Sequence, residues 1–357
     1  MSPRVTVLMS VYNGEQFLRQ AIASILRQTL TDFEFLIIDD GSTDTSVEII
    51  ESFSDPRLKL VRNDRNMGLT FSLNKGLALA KSEYVARMDA DDESLPHRLE
   101  TQVAFMDAHP DVGVCGSWLE TVGIEPKDQW RPPADDAMIR CEHVFHSDLY
   151  HPTVILRKDL LDNYKLTYDG PVAQDYDLWV RASRVTRLAN IPEILLRYRI
   201  HRDSIGNIFS EEQYRCSQLI RIRQIVELGI KPSDEEAKLH FKISLALFEK
   251  STKFVSQTEQ WLLKLQWANQ SRGLFPEPFF SQVLSNKWFE VCNSVSNLGF
   301  WVFRKFSQSP LKSQIHLPWK TQTKFLIKCG LKRPPTLSNP RLISPEEEAA
   351  RKICAAP

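Results

Sequence analysis

Four carboxylates crowd the segment YVARMDADDESLP between Tyr84 and Pro96: Asp89, Asp91, Asp92 and Glu93. Like charges a few ångströms apart repel, so the cluster costs stability unless a cation or a ligand's positive group sits among them. Asp89 and Asp91 are one residue apart, and in extended chain positions i and i+2 point to the same side. Both can therefore face one ion. Hard oxygen ligands suit Mg²⁺ or Mn²⁺, which usually bind through one or two carboxylates together with phosphate oxygens and water. A surface turn with a helix cap competes with this account, because Asp92 and Ser94 suit a helix N-terminus. A cap, however, needs one side chain rather than three or four.

Two other segments carry groups of the same kind. In IIDDGSTD, Asp39 and Asp40 end a strand-like run, Gly41 permits a turn, and Ser42 or Thr43 can cap the next helix. A turn and cap account for Gly41 to Asp44 but not for two acids at a strand end. In nucleotide-binding α/β sheets such an acid accepts hydrogen bonds from a base or a ribose hydroxyl. Neither GxGxxG nor GxxxxGK[ST] occurs, so the phosphate cradles of dinucleotide enzymes and P-loop NTPases are absent. A bound nucleoside diphosphate would then need a metal, which Asp89 and Asp91 could hold. In AQDYDLWVRAS, Asp175 and Asp177 fall near a helix start, where the dipole welcomes negative charge, and Leu178, Trp179 and Val180 point toward packing. His201 stands among Arg197, Arg199 and Arg202, either a phosphate-facing patch or a solvated edge.

The surrounding pattern supplies elements to position these groups. Strands are expected at Val5–Tyr12, Phe33–Asp39, Leu58–Arg62, Tyr84–Asp89 and Val112–Leu119. Helices are expected at Glu15–Gln28, after Ser42 or Thr43, at Leu69–Ala80 and from Leu95 to Ala108, the last capped by Ser94. This alternation predicts an α/β fold: a mostly parallel sheet with helices on both faces. Ligands of such sheets lie beyond the C-terminal strand ends, so Tyr12, Asp39–Asp40 and Asp89–Asp91 are expected to line one crevice. Past residue 207 the periodicity becomes helical throughout. Three parts are expected: a nucleotide-handling domain over 1–206, a helical appendage over 207–292, and a basic segment over 293–357.

Of 357 residues, 42% are apolar and 25% charged, with 45 basic against 45 acidic side chains, which carries no nucleic-acid signature. The balance is uneven: Ser285 to Arg333 holds nine Lys or Arg and a single acid, Glu290. That stretch also carries aromatics, the composition of an interfacial segment drawn to anionic lipid, although a packed helix pair with a solvated basic face explains it equally. Six cysteines without a CxxC pair fit reduced thiols, and no stretch reaches the ~18 apolar residues of a membrane span. A cytoplasmic protein is expected, with peripheral contact at the inner membrane face through the basic segment.

The blocks VTVLMSVYNGEQFLRQAIASILRQTLTDFEFLIIDDGSTD, NMGLTFSLNKGLALAKSEYVARMDADD and QDYDLWVRAS, in that order and spacing, closely resemble the family 2 glycosyltransferases of GT-A fold. The resemblance covers about Arg4 to Ser204. It implies a Rossmann-like GT-A sheet and an inverting transfer of sugar from a nucleoside-diphosphate sugar, UDP-linked in the commonest case, to a hydroxyl of a glycan or lipid-linked acceptor. By motif position it implies that Tyr12 packs on the base beside Ser10, that Asp40 binds the base and Asp89 the ribose, and that Asp91 holds Mn²⁺ or Mg²⁺. Asn66, Gly68 and Arg87 would complete the donor pocket. Asp175 would be the catalytic base, Trp179 would border the acceptor, and His201 would lie near the metal and diphosphate. Gln174 stands where the family usually has glutamate, which removes one charge beside the base. Two other classes compete: a nucleotidyltransferase, disfavoured because SVYNGEQF lacks a basic loop, and a non-catalytic glycan-binding or scaffold relative, of which Gln174 would be the trace.

Overall fold

The computed structural model describes residues 2–123, 127–201, 210–315 and 318–331. They cluster into two compact units, one of Met1–Ile139 and Ser147–Ser204, the other of Arg140–His146 and Ile205–Pro357.

The first unit is built on a nine-stranded sheet. Its strands are β1 (Val5–Val11), β2 (Phe33–Asp39), β3 (Leu58–Arg62), β4 (Tyr84–Met88), β5 (Glu93–Ser94), β6 (Val112–Val122), β7 (Gln129–Trp130), β8 (Ile155–Arg157) and β9 (Arg187–Arg199). The order β3-β2-β1-β4-β8-β6-β9-β5 places a parallel four-strand block at one side, with β7 pairing β6 off this path. β8 runs antiparallel to both β4 and β6, whereas β6 and β9 are parallel. The sheet is thus mixed, and GT-A-like in its alternation of strands with helices.

Period-two alternation makes β1 and β2 bury both faces, as central parallel strands must. Val5, Val7, Met9 and Val11 join Phe33, Phe35 and Ile37 in one core cluster, against Leu18, Ile22 and Ile25 of α1 (Leu18–Leu26) and Leu99, Val103 and Met106 of α4 (Arg98–Ala108). Leu8, Leu36 and Ile38 face the other way. They pack with Leu73 and Leu77 of α3 (Leu69–Leu79) and with Leu178 and Trp179 of α7 (Gln174–Ala182). Gly76 lets α3 press on β1: a Cβ there would lie 2.2 Å from Leu8 Cδ1. The remaining helices of this part are α2 (Ser46–Glu51), α5 (Asp136–Glu142), which runs on into the second unit, and α6 (Lys158–Asn163).

Two expected caps are replaced by longer-range bonds. α2 starts at Ser46, and Ser42 Oγ instead accepts from the Asn13 backbone N–H at 3.0 Å. α4 starts at Arg98, while Ser94 is drawn into β5, where its hydroxyl accepts from the Gln28 amide at 3.1 Å.

The second unit is helical: α8 (Ser210–Glu227), α9 (Asp234–Ser244), α10 (Thr252–Arg272), α11 (Phe279–Ser294), α12 (Phe300–Gln308) and α13 (Trp319–Leu331). Ser233 caps α9 through a reciprocal bond pair with Glu236, and Gly273, at φ +65°, ends α10. Residues Arg140–His146 also belong to this unit. The carbonyl of Phe145 accepts from Arg221 Nε at 2.7 Å and that of Val144 lies 2.9 Å from His240 Nε2. No helix among the described residues is long and apolar enough to cross a membrane.

Candidate active site

The C-terminal ends of β1 and β2 are stitched together. Val11 is opposite Asp39, and the Asp40 N–H donates to the Val11 carbonyl at 2.8 Å. Beyond them, Thr43 N–H donates to Asn13 Oδ1 (2.8 Å), Gly14 N–H to Ser46 Oγ (2.8 Å), and Glu15 N–H to Asp44 Oδ2 (3.1 Å). The rim so formed leaves Tyr12 48% exposed at the mouth, with Ser10 buried two positions earlier.

Asp40 is buried, and its oxygens are committed to the chain. Oδ1 accepts from Met67 N–H (3.0 Å) and the Asn63 amide (2.7 Å), and Oδ2 accepts from Gly68 N–H (2.8 Å). Asn66 Oδ1 adds a bond to the same Gly68 N–H at 3.0 Å. Asp40 thus fixes the loop that carries Asn66 and Gly68 to the start of α3. Gly41, at φ +75°, lies where that loop crosses: a Cβ would sit 2.6 Å from the Arg65 carbonyl carbon. Asp39, fully buried, accepts from Ser42 N–H at 3.2 Å and lies 3.7 Å from Arg62 Nε.

The end of β4 is organised differently. Arg87 is buried, and its guanidinium donates to the carbonyls of Leu8 and Met88, to His151 Nε2 at 3.2 Å, and to Asp89 Oδ1 at 2.5 Å. His151 Nε2 therefore acts as an acceptor, and Tyr168 Oη approaches it at 2.9 Å. Burial, then the neighbouring Arg87 charge, pushes the His151 pKa well below its ordinary value. Asp91 Oδ2 lies 2.8 Å from His201 Nε2. Asp92 Oδ1 accepts from Arg199 N–H (2.8 Å), while Arg199 Nε donates to the Asp91 carbonyl (2.8 Å). Asp92 Oδ2 is buried without a hydrogen-bond donor among the described residues. Burial first, then neighbouring carboxylates, raises Asp92 well above the usual range; burial raises Asp89 despite Arg87 beside it. Burial also lowers buried Arg98 to about 9, although Asp92 and Asp89 oppose the shift.

Asp175, half-buried, lies in the first turn of α7, after Ala173 in the left-handed region at φ +53° and a buried Gln174. Asp177 points to Arg181, whose Nε donates at 2.6 Å. The Tyr198 hydroxyl lies in the field of Asp92, Asp89, Asp91 and Asp175 together, and burial with those four charges raises its pKa well above the ordinary value. Tyr168 likewise feels Asp175 and Asp89. The acids after β4 thus lie beside His201, and Asp175 at the start of α7 is near enough to act on the Tyr168 and Tyr198 hydroxyls. Trp179 lies elsewhere: it is fully buried in the core beside His151, ring centroids 6.3 Å apart, not at an open surface.

The donor set fits a divalent cation. One carboxylate and one imidazole, Asp91 Oδ2 and His201 Nε2, meet at 2.8 Å, and the neighbouring Asp92 keeps a buried oxygen without a donor among the described residues. Asp91 with His201 would hold such an ion, with Asp89 adjacent. Sequence reasoning missed His151, Tyr168, Tyr198 and Arg98. Arg98 lies 11 positions from Arg87, which it contacts, Tyr168 lies 17 from His151, and His151 lies 64 from Arg87; no local period marks them.

The model of glycosyl transferase family 2 matches residues 6–164. An uncharacterised glycosyltransferase of Haemophilus influenzae is 34% identical over 237 residues, covering 62% of this chain and 73% of that protein. The chain belongs to glycosyl transferase family 2. The amylovoran biosynthesis glycosyltransferase AmsE of Erwinia amylovora is 31% identical over 207 residues, 56% of this chain and 78% of that protein. Among solved structures, S. aureus TarS 1–349 in complex with UDP-GlcNAc covers 87% of this chain and 90% of its own at TM-score 0.54 and 19% identity, a likeness of fold. This family 2 chain is a glycosyltransferase.

Proposed function

We propose that the crevice binds a nucleoside-diphosphate sugar, UDP-linked, together with Mn²⁺ or Mg²⁺, and transfers the sugar with inversion to a hydroxyl of a glycan or lipid-linked acceptor. The Asp91–His201 contact beyond the β4 end carries this reading, and the influence of Asp89, Asp91 and Asp175 together on the Tyr198 hydroxyl supports it. Tyr12 would stack on the base, with Ser10, Asn66 and Gly68 lining the same mouth. Asp89, oriented by Arg87, would accept from the ribose hydroxyls. Asp91 and His201 would hold the cation, which would supply neutralisation of the charge developing on the departing diphosphate. Asp175 would take the proton of the attacking hydroxyl, and a single displacement with one such base inverts the anomeric centre. Asp40 serves this site by holding the Asn66–Gly68 loop, in place of the direct base contact expected from the motif. The amylovoran biosynthesis enzyme among the relatives supports polysaccharide synthesis as the setting, and free buried thiols support a cytoplasmic one.

Calorimetric titration with UDP, dTDP and GDP, with and without Mn²⁺, tests the donor site in the wild type and in Asp91→Asn. Binding of UDP that requires both Mn²⁺ and Asp91 is expected. Absence of binding by all three nucleotides would leave the non-catalytic scaffold reading. Asp175→Asn is expected to keep UDP binding and to lose transfer by roughly 10²–10⁴-fold.

A further inference from the structure

We infer that α12 and α13 form a docking surface for an anionic lipid bilayer, independently of the donor reading above. The inner sides of these helices are fully accounted for. Phe325 of α13 meets Phe289 of α11 and Phe306 of α12, each at a ring-centroid distance of 5.5 Å, and Phe303 at 5.8 Å. Val302, Phe306, Phe325 and Cys329 are buried there.

The outer sides are apolar as well, which a solvated helix pair does not need. Trp319 is 70% exposed, Phe300 62%, Leu331 56% and Ile327 52%. On α13, Trp319, Ile327 and Leu331 follow at i, i+8 and i+12, on the side away from Phe325 and Cys329, and exposed Lys320 and Lys324 lie on that same side. On α12, exposed Arg304 follows Phe300 at i+4.

Charge decides what such a surface can meet. Residues 300–331 contain six Lys or Arg and no Asp or Glu. Lys305 is turned to Glu259 at 2.5 Å and Lys328 to Asn293. Arg304, Lys320 and Lys324 have no acidic partner among the described residues. Lys320 Nζ lies 5.9 Å from the Trp319 ring centroid, and aromatic rings beside cations without acidic partners match an interface of acyl chains under anionic headgroups. A second copy of the same face fits poorly, because it would bring cation against cation.

Co-sedimentation of the full chain with phosphatidylcholine vesicles, with and without phosphatidylglycerol, tests this. Binding is expected only to the anionic vesicles and is weakened by salt. Lys320→Gln with Lys324→Gln is expected to lower partitioning about 25-fold, roughly five-fold per charge. Trp319→Ser is expected to lower it while leaving the salt dependence in place. Unchanged thermal melting of these surface variants separates lost binding from lost folding. Equal binding to neutral vesicles, no binding, or unaltered partitioning of the double variant would overturn the inference. So would an oligomer of the wild type that the variants disperse without any vesicle binding.

Discussion

β2 and β4 both deliver paired acids to the same edge of the sheet, yet the two ends are built on opposite principles. After β2, the Asp40 carboxylate receives three donors from Asn63, Met67 and Gly68. Its charge is absorbed by the chain, and the product is a fixed loop. After β4, Asp89, Asp91 and Asp92 raise one another's cost: burial and neighbouring carboxylates push Asp89 and Asp92 upward, and Asp92 keeps an oxygen without a donor. Internally satisfied acids hold structure; the crowded, under-satisfied ones are those proposed to take a cation.

The sharpest way to break this contrast is a pair of isosteric changes. Asp91→Asn is expected to slow transfer roughly a hundredfold or more, because the cation proposed there would be worth several kcal/mol to the departing charge. Its melting temperature is expected to hold or rise, since a like charge beside Asp89 and Asp92 disappears. Asp40→Asn is expected to do the reverse in kind. An amide cannot accept from all three donors, so stability falls by about 2–4 kcal/mol, read as a lower urea midpoint. If Asp40→Asn melted like the wild type while losing UDP affinity, the contrast would collapse and Asp40 would be a ligand contact.

What was legible in the sequence follows the same division. β2 and β3 match their expected bounds residue for residue, and β1 and β4 each fall one residue short, because long runs of β-formers have no competing helical period. β8 has three residues and β5 two, too few for any period to register, although β8 turns the sheet mixed and β5 pins the acids to β9. Of the proposed chemistry-bearing residues, Asp89 and Asp91 were marked by spacing and Asp175 by the family resemblance. Their supports were not. His151, Tyr168 and Tyr198 act through tertiary proximity alone. Trp179 shows the limit of motif position, because the apolar period of α7 carries it into the core. Residues 202–209 and 332–357, which include Arg202 and the end of the basic segment, lie outside the described residues.

The helical unit offers a neutral version of the satisfied case. His240 is buried with both ring nitrogens engaged: Trp261 Nε1 donates to Nδ1 at 3.1 Å, and Nε2 faces the Val144 carbonyl at 2.9 Å. Burial pushes its pKa from 6.5 down to about 3. The folded state therefore disfavours the proton that the unfolded chain accepts below pH 6.5. The stability held above pH 6.5 is lost as pH falls toward 3, by up to about 1.4 kcal/mol per unit from this residue. Urea unfolding followed by tryptophan fluorescence is expected to show that slope in the wild type and to lose it in His240→Gln. An unchanged slope would assign acid sensitivity to other groups.

The smallest effect sharpens the contrast at α7. Ala173 holds a left-handed conformation at φ +53° immediately before Gln174 and Asp175. Such a conformation costs an alanine about 1–2 kcal/mol, whereas glycine adopts it freely. Ala173→Gly is therefore expected to raise stability by about 1 kcal/mol, after part of the relief is offset by the greater freedom of glycine in the unfolded chain. The informative readout is the transfer rate beside it. If the turn only connects elements, kcat stays unchanged as stability rises. If the alanine restricts the first turn of α7 so that Asp175 keeps its direction, kcat falls while UDP affinity holds, and the strain belongs with the under-satisfied acids it serves.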